Sequence, residues 1–247
     1  MNFKIPFLIF FLIVNCILNG QLELPYYQED DIIINHNAYS LSFSIQHKQA
    51  KWVAYQLTKL KIQNGYLPRT NSFRPDPKIP ELCSSSYDYS NSNYDRGHLV
   101  PASDMRWSEK AMEESFYMSN ISPQHYSFNR GAWIKLERRV RRWAVAYDSI
   151  YVVTAGVLND NLQKIGLDST LSIPEYFYKV ILHYEHDDKK AIGFLMPNKK
   201  INQPIEHFAV SVDSVESVTG IDFFFNIPDE IEQNIESFYD INYWNWD

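Results

Sequence analysis

Short segments in which hydrophobic and polar positions alternate, or hydrophobic positions run together, recur along the chain and are typical of β-strands. Such segments lie at residues 40–45, 52–58, 150–157, 177–184 and 191–196. The last two are separated by the charged residues 185–188, which favour a turn. We therefore predict five strands, of which the last two form a hairpin.

The strongest helical pattern occupies residues 131–146. Its apolar side chains recur at a spacing that places them in one stripe on a helix. They are Trp133, Leu136, Val140 and Trp143. Shorter helical patterns lie at residues 108–117, 213–218 and 230–239, and Ser108 is a plausible N-cap. The mixture of clustered strands and separate helices predicts a layered α+β domain.

The composition predicts one globular unit over residues 21–247. In the whole chain 45% of the residues are hydrophobic and 15% are aromatic, which suits a protein with a core and not a disordered one. No internal repeat or long linker divides the chain. Residues 68–93 are rich in Pro, Asp, Ser and Asn and indicate an irregular loop.

The first twenty residues have the pattern of a secretory signal peptide. Lys4 precedes an apolar run at residues 7–18, and Gly20 follows closely. The run has about a dozen residues, fewer than the roughly 20 that a membrane-spanning helix needs. We therefore predict export or a periplasmic location after cleavage near Gly20, in preference to a retained anchor. Asn15 stands where a lipid-attachment site has a small residue, which disfavours lipid anchoring at Cys16.

The net charge of −7 argues mildly against a polyanionic partner, because nucleic-acid-binding proteins usually carry a basic excess. The charge is unevenly distributed, however. Residues 96–142 carry nine Lys or Arg against five Asp or Glu. Four of these arginines stand close together on the predicted long helix, where like charges repel unless a polyanion is near. They are Arg138, Arg139, Arg141 and Arg142.

The segment from Asp95 through Arg96 and Gly97 to His98 is a candidate reactive segment. A histidine can take a proton from water near neutral pH, and a glycine beside it allows close approach of a ligand. Arg96 could hold a phosphate, and Asp95 could orient either neighbour. Taken alone, His98 would more often be a histidine that only packs, and Arg96 a surface ion pair.

Asn129, Glu137 and Arg141 are separated by multiples of four residues, so on a helix they would lie on nearly the same face. The amide oxygen of Asn129 suits Mg²⁺, and Glu137 could hold a water of the ion. The alternatives are an N-cap at Asn129 and a surface pair between Glu137 and Arg141. With His98, these groups supply what phosphodiester cleavage requires: a base, a cation and an arginine.

Three segments resemble those of the DNA/RNA non-specific endonucleases, the ββα-metal nucleases that include secreted bacterial nucleases and mitochondrial endonuclease G. The segments are YDRGHLVP at 94–101, SNISPQ at 119–124 and NRGAWIKLE at 129–137. Their order and spacing are similar to those of the family, and the resemblance extends from about Trp52 to Phe225. It implies the ββα-metal nuclease fold, an α+β fold with a central antiparallel sheet layered with helices.

The resemblance also implies catalytic roles. His98 would be the general base, and Asn129 would be the only direct protein ligand of Mg²⁺, for which Mn²⁺ could substitute. Glu137 would hold metal-bound water, and Arg96 and Arg141 would contact or polarise the phosphate.

A second group of residues is expected to bind the substrate or support the site. It comprises Arg74, Asn120, Gln124, Arg138 and Arg142. Arg69 and Arg74 compete for the role of the upstream arginine that the family often has, and we assign it to Arg74.

We predict a secreted, Mg²⁺-dependent endonuclease that hydrolyses DNA and RNA with little sequence specificity, because contacts to phosphate carry no base information. One alternative is a catalytically weak nucleic-acid-binding module on the same fold. Another is a phosphodiesterase for a small substrate, which a closed apolar pocket would favour. No stable membrane partner is expected, and the sequence does not indicate an oligomeric state.

Overall fold

The computed structural model describes residues 21–246 of the chain. The predicted signal peptide at residues 1–20, with Cys16, lies outside the described residues. In the described part, no helix is both long and apolar enough to cross a membrane.

Residues 21–246 form eleven strands, most of them rich in β-branched and aromatic side chains that suit a pleated, buried surface. In chain order they are β1 (Ile32–Asn35), β2 (Ser40–Ser44), β3 (Gln49–Thr58), β4 (Tyr94–His98), β5 (Ile121–His125), β6 (Ser149–Gly156), β7 (Lys164–Ile165), β8 (Leu171–Ser172), β9 (Tyr176–Glu185), β10 (Asp188–Pro197) and β11 (Ala209–Val210).

A seven-stranded antiparallel sheet forms the centre of the protein, in the order β1-β2-β3-β6-β9-β10-β11. β9 and β10 pair from Tyr176 opposite Pro197 to Glu185 opposite Asp188, so only two residues connect them. β4 pairs with β5, and β7 with β8, in two small sheets. The central sheet is the platform on which the helices pack.

Six α-helices occur in the described part of the chain. They are α1 (Lys59–Gln63), α2 (Glu109–Glu114), α3 (Tyr126–Phe128), α4 (Ile134–Ala146), α5 (Val212–Thr219) and α6 (Asp229–Glu236). A π-helical turn at Asn129–Trp133 joins α3 to α4. α2 begins at the predicted N-cap, where the hydroxyl of Ser108 accepts a hydrogen bond from the backbone N–H of Ala111 at 3.3 Å.

The helices cover opposite faces of the central sheet. On β9, the ring of Phe177 lies 5.7 Å from the ring of Trp133, while the ring of Tyr178 lies 5.6 Å from that of Phe223. Successive side chains of a strand point to opposite faces. α4 with its π turn therefore lies on one face, and the segment around Phe223 lies on the other.

α5 lies on the same face as Phe223. Gly193 on β10 pairs with Val180 on β9, which shares its face with Tyr178. A Cβ atom at Gly193 would come within 2.7 Å of the side chain of Val215. The glycine therefore permits α5 to approach the sheet closely.

The structure confirms the predicted strands and the apolar stripe of the long helix. Residues 40–45, 52–58, 150–157, 177–184 and 191–196 fall in β2, β3, β6, β9 and β10, with ends that differ by up to three residues. Trp133, Leu136, Val140 and Trp143 are all buried. Helices also occur at the three shorter predicted positions, although α6 ends at Glu236, three residues before its predicted end. The α+β assignment is confirmed.

Two parts of the prediction were incomplete or wrong. The strands β1, β4, β5, β7, β8 and β11 were not predicted. β7, β8 and β11 have only two residues each, and β4 and β5 contain mainly polar residues and Gly97, so they lack the strand pattern. Asn129 does not begin a helix, because α3 precedes it and its backbone is helical on both sides. The N-cap is His125, whose Nδ1 accepts a hydrogen bond from the backbone N–H of Ser127 at 3.2 Å.

Candidate active site

β4, β5 and the helical segment that follows β5 build one compact unit. In the antiparallel pair, Tyr94 lies opposite His125 and His98 lies opposite Ile121. β5 passes directly into α3, the π turn and α4. This connection brings the Asp-Arg-Gly-His segment of β4 close to Asn129.

His98 ends β4 and is only 7% exposed. Its ring lies 4.8 Å from the ring of Phe116 and 5.4 Å from that of Phe73, and its Nε2 is buried with no hydrogen-bond partner among the described residues. Burial lowers the pKa of His98 to about 3, and the positive charges of Arg69 and Arg96 act in the same direction. The imidazole is therefore neutral near pH 7.

Phe73, which packs against the ring of His98, also lines an open groove of about 460 Å³, together with Arg69, Arg96 and Asn129. The guanidinium of Arg96 lies 4.2 Å from the centre of the Phe73 ring, and that of Arg69 lies 5.0 Å from the Phe116 ring. Neither arginine forms an ion pair with a carboxylate of residues 21–246. Two cations that lack a carboxylate partner make the groove attractive to an anion.

The structure places Arg74 outside this groove, contrary to the assignment made from the sequence. Its guanidinium forms an ion pair with Glu113 and lies 5.0 Å from the ring of Tyr117. A β-bridge between Arg74 and Tyr117 fixes the backbone so that the Arg74 side chain reaches Glu113 and not the groove. The upstream arginine that lines the groove is Arg69.

Asp95 holds Asn129 in one orientation. The Asn129 Nδ2 donates a hydrogen bond to Oδ2 of Asp95 at 2.9 Å, and Arg130 donates two more to the same carboxylate at 2.8 and 2.6 Å. Burial acts to raise the pKa of Asp95, but these hydrogen bonds outweigh it and lower the pKa. The amide oxygen of Asn129 accepts no hydrogen bond from residues 21–246. A hard oxygen donor is therefore available at the groove.

The π turn changes the predicted alignment of Asn129 with the helix behind it. A π-helical turn contains more residues than an α-helical turn, so positions on either side of it do not keep the α-helical phase. Asn129 therefore does not share one regular face with Glu137 and Arg141. Contact with Asp95 on β4 sets its orientation instead.

Glu137 lies on α4 near a buried lysine of the sheet. Lys179 on β9 is fully buried, and its Nζ lies 4.8 Å from the ring of Trp133 and has no hydrogen-bond partner within residues 21–246. Burial raises the pKa of Glu137 and lowers that of Lys179, while the attraction between the two charges opposes both shifts. The charge of Arg69 also acts on Glu137. The carboxylate therefore experiences the charge of a lysine of the sheet and that of an arginine of the groove.

Arg141 is tied to the interior. Its Nη1 donates a hydrogen bond to Oδ1 of Asp104 at 2.7 Å, and the hydroxyl of Tyr55 donates one to Oδ2 at 3.0 Å. The side chain of Asp104 is 1% exposed and that of Arg141 19% exposed. One guanidinium nitrogen of Arg141 is thus committed to Asp104, and the remaining donors are partly accessible.

The structure contradicts a direct substrate contact for Asn120 and Gln124, because both are fully buried. The Asn120 side chain accepts a hydrogen bond from the backbone N–H of Val100 at 2.9 Å and donates to the carbonyls of Val100 and Ser115. It therefore holds the chain just after His98. Gln124 packs against Gly97, where a Cβ atom would lie 2.2 Å from its Oε1, so the close approach needs glycine.

Arg138 and Arg142 are exposed, in contrast to Arg141 between them. All three border a second groove of about 510 Å³, which also includes Ile62 and Val145. A polyanion on the outer surface of α4 would meet Arg138 and Arg142 first. Arg141 is therefore anchored by its ion pair with Asp104, whereas Arg138 and Arg142 are exposed.

Sequence reasoning missed two groups of the site, Asp104 and Lys179, and named Arg69 only as the competitor of Arg74. A signal was available for Lys179, because it is a single charge within an otherwise apolar strand. A lysine is almost never fully buried without a partner. No comparable signal marks Asp104, which reaches Arg141 only through the tertiary fold.

Relatives of the chain include several nucleases. Nuclease EXOG, mitochondrial, of Danio rerio is 35% identical over 200 residues, which cover 74% of this chain and 58% of that protein. Nuclease C1 of Cunninghamella echinulata var. echinulata is 34% identical over 206 residues, 77% of this chain and 82% of that protein. Human endonuclease G, mitochondrial, is 30% identical, with 78% of this chain and 69% of that protein covered. The chain thus spans a little over half the length of the EXOG relative.

A crystal structure of the EndoG/EndoGI complex has a similar fold, with a TM-score of 0.76 and 33% identity. The match covers 84% of this chain and 90% of that chain. The likeness confirms the predicted ββα-metal nuclease fold.

The relatives contradict the prediction of a secreted or periplasmic protein. The EXOG and endonuclease G proteins that match are mitochondrial nucleases. The apolar pattern at residues 7–18 therefore did not predict the location correctly.

The family comparison agrees with the three motifs and with the fold. The DNA/RNA non-specific endonuclease family matches residues 20–230, most of the chain. Relatives that exceed 30% identity over three quarters of the chain support the same assignment. The chain belongs to the DNA/RNA non-specific endonucleases, a family of metal-dependent nucleases.

Proposed function

We propose that this chain is a Mg²⁺-dependent endonuclease that hydrolyses internal phosphodiester bonds of both DNA and RNA. The observation that carries the proposal is the position of His98, a neutral imidazole with an unpartnered Nε2, against Phe73 of a groove that is also lined by two arginines without carboxylate partners. Hydrolysis needs a base for water and positive charge for the phosphate, and this arrangement offers both.

His98 acts as the general base. A base near the scissile phosphate must be unprotonated before it can take a proton from water. The buried position of His98 and the charges of Arg69 and Arg96 keep it so. The rings of Phe73 and Phe116 hold the imidazole in place without consuming its Nε2.

The residues present fit a divalent cation with a preference for oxygen ligands. Asn129 would ligate it through the amide oxygen that Asp95 leaves unbonded, and Glu137 would hold it through solvent. The bound ion would supply positive charge for the phosphate and the departing oxygen. Mg²⁺ matches amide and carboxylate oxygens, and Mn²⁺ accepts the same set.

Arg69 and Arg96 bind the scissile phosphate. Arg141 adds positive charge from the helix–sheet layer beneath the groove. Arg138 and Arg142 contact neighbouring phosphates along the outer surface of α4. Contacts between arginine and phosphate do not distinguish one base or sugar from another, so DNA and RNA are both substrates. The groove is open and polar at Arg69, Asp95, Arg96 and Asn129, which disfavours a small apolar phosphodiester.

The test is incubation of the purified chain with closed circular plasmid and with RNA, with Mg²⁺ and with EDTA. We expect nicked and then linear plasmid and degraded RNA, and no cleavage in EDTA. His98→Gln should lower kcat on the order of 100-fold or more, because it removes the base. Inertness toward both nucleic acids over a titration of Mg²⁺ and Mn²⁺ would refute the enzymatic proposal.

The burial of neutral His98 also predicts a pH dependence of stability. Below its ordinary pKa of 6.5 the unfolded chain binds a proton at this histidine, while the folded protein does not until about pH 3. Stability therefore falls as pH falls through this window. Relative to His98→Gln, the free energy of unfolding should decrease by about 1.4 kcal/mol per pH unit between about pH 5.5 and 4. Urea unfolding at several pH values measures this, and parallel curves would contradict a buried neutral imidazole.

Asn129→Ala should abolish most activity and raise the Mg²⁺ concentration needed for half-maximal cleavage, because it removes the direct ligand. Since Asn129 is not an N-cap, the Tm should change by less than about 2 °C, the shift expected for a fraction of a kcal/mol in a protein of this size. Activity assays and thermal melts of one preparation check both statements. Full activity with unchanged Mg²⁺ dependence would remove Asn129 from the metal site.

Arg69 and Arg74 form a matched pair of variants. Arg69→Ala should lower kcat/KM about 10-fold or more and weaken the inhibition by added salt, since it removes a phosphate contact. Arg74→Ala breaks an exposed pair with Glu113 and should change kcat/KM by less than about threefold, in line with the small worth of such pairs. Steady-state kinetics at low and high salt distinguish them, and a larger effect for Arg74 would reverse the assignment.

A further inference from the structure

Five carboxylates crowd together around α5 and α6, on the face of the sheet opposite to the active site. They are Asp213, Glu216, Asp222, Glu232 and Glu236. Carboxylate oxygens of three of them, Asp213, Glu216 and Glu236, all lie within 4.8 Å of one another. Like charges at this separation repel strongly where water is excluded.

One of these carboxylates is buried and points into the cluster without a partner. Glu236 is 4% exposed, and its Oε1 has no hydrogen-bond partner among the described residues. The Oε1 of Glu232 is also buried and unpartnered. None of the five carboxylates forms an ion pair with a Lys, Arg or His of residues 21–246. A buried carboxylate is costly unless it is paired, protonated or bound to a metal.

The electrostatics of the cluster lead to the same requirement. Burial raises the pKa of Glu236 to about 9, with Glu216 and Glu232 as the next causes, and burial with the neighbouring carboxylates raises that of Glu232 to about 7. The cluster therefore holds either bound protons or a cation. A divalent cation neutralises two charges at once and satisfies several oxygens together.

The oxygens lie close enough together to bind one hard cation, and calcium suits their arrangement. Calcium binds oxygens at 2.3–2.6 Å, so ligands on opposite sides of the ion stand roughly 4.6–5.2 Å apart, compared with about 4.2 Å around Mg²⁺. The oxygens of the three carboxylates all lie within 4.8 Å of one another, a separation that one calcium ion can span. Calcium also tolerates the irregular geometry that two short helices offer.

We propose that Asp213 and Glu216 of α5 and Glu236 of α6 form a calcium site that is separate from the catalytic metal site. Solvent and the nearby Glu232 complete the coordination. The ion ties α6 to α5 and thereby fixes the start of the C-terminal segment. That segment continues to the other face of the sheet, where the ring of Trp244 lies 4.7 Å from that of Trp143 on α4.

The experiment measures calcium binding and thermal stability of the full chain in an Asn129→Ala background, which removes the catalytic ligand. After treatment with EDTA and dialysis, we expect one bound Ca²⁺ by calorimetry. The Tm should rise by about 5 °C or more at calcium a hundredfold above Kd, as ligand linkage requires. The same concentration of Mg²⁺ should produce a clearly smaller rise.

Three further variants make the outcome specific. Glu236→Gln keeps the shape of the side chain and should lose the calcium-dependent rise, and Asp213→Asn repeats the test at an exposed position. Glu230→Gln removes an exposed carboxylate of the same helix outside the cluster and should retain the full rise. No binding in the Asn129→Ala protein, or an unaltered rise in Glu236→Gln, would overturn the site, and an equal rise with Mg²⁺ would overturn its assignment to calcium. Binding and melting require no nuclease activity, so this result is independent of the proposed function.

Discussion

Trp133 and Trp143 bury one face of α4 against the central sheet, where they meet Phe177 of β9 and Phe194 of β10. The groups of the active site are positioned relative to that contact. Truncation of a buried tryptophan costs about 3–5 kcal/mol, a large part of the marginal stability of a domain. The helix therefore cannot shift or rotate cheaply. Because β5 runs directly into this anchored helix, β4 with His98 is held at a fixed place as well.

The same packing divides the charged residues of the site into two kinds. Arg141 and Lys179 lie under or within the helix–sheet layer, close to Asp104 and Glu137. Removal of one partner from a buried pair leaves an uncompensated charge, which costs about 3–5 kcal/mol. Substitutions there will change stability together with rate.

Arg69 and Arg96 are of the other kind. They rest on the aromatic rings of Phe116 and Phe73, are exposed, and have no carboxylate partner among residues 21–246. An arginine over a ring is held in place while its donors stay available. Such residues can meet a phosphate without first giving up an internal ion pair, so the proposed phosphate contact lies in the groove and not in the layer beneath it.

The sequence predicted the parts of the fold in which local pattern and tertiary burial agree. α4 and β9 are long, strongly periodic or continuously apolar, and both were found in place. β4 and β5 were not predicted, because their residues serve the site and interrupt the strand pattern. The motif did identify His98, Arg96 and Asn129 as neighbours. It did not distinguish Arg69 from Arg74, because only the bridge to Tyr117 and the pair with Glu113 turn Arg74 away.

Charge balance also explains how the two faces of the sheet differ. Beneath α4, the buried carboxylate of Asp104 and the partly buried carboxylate of Glu137 each have a cation close by, in Arg141 and Lys179. Around α5 and α6, Glu236 is buried to a similar degree, yet the groups that act on it are all carboxylates. Proteins bury a carboxylate when something compensates its charge. On the first face the chain supplies that compensation itself, so on the second face it must come from outside the chain, as protons or as a bound cation.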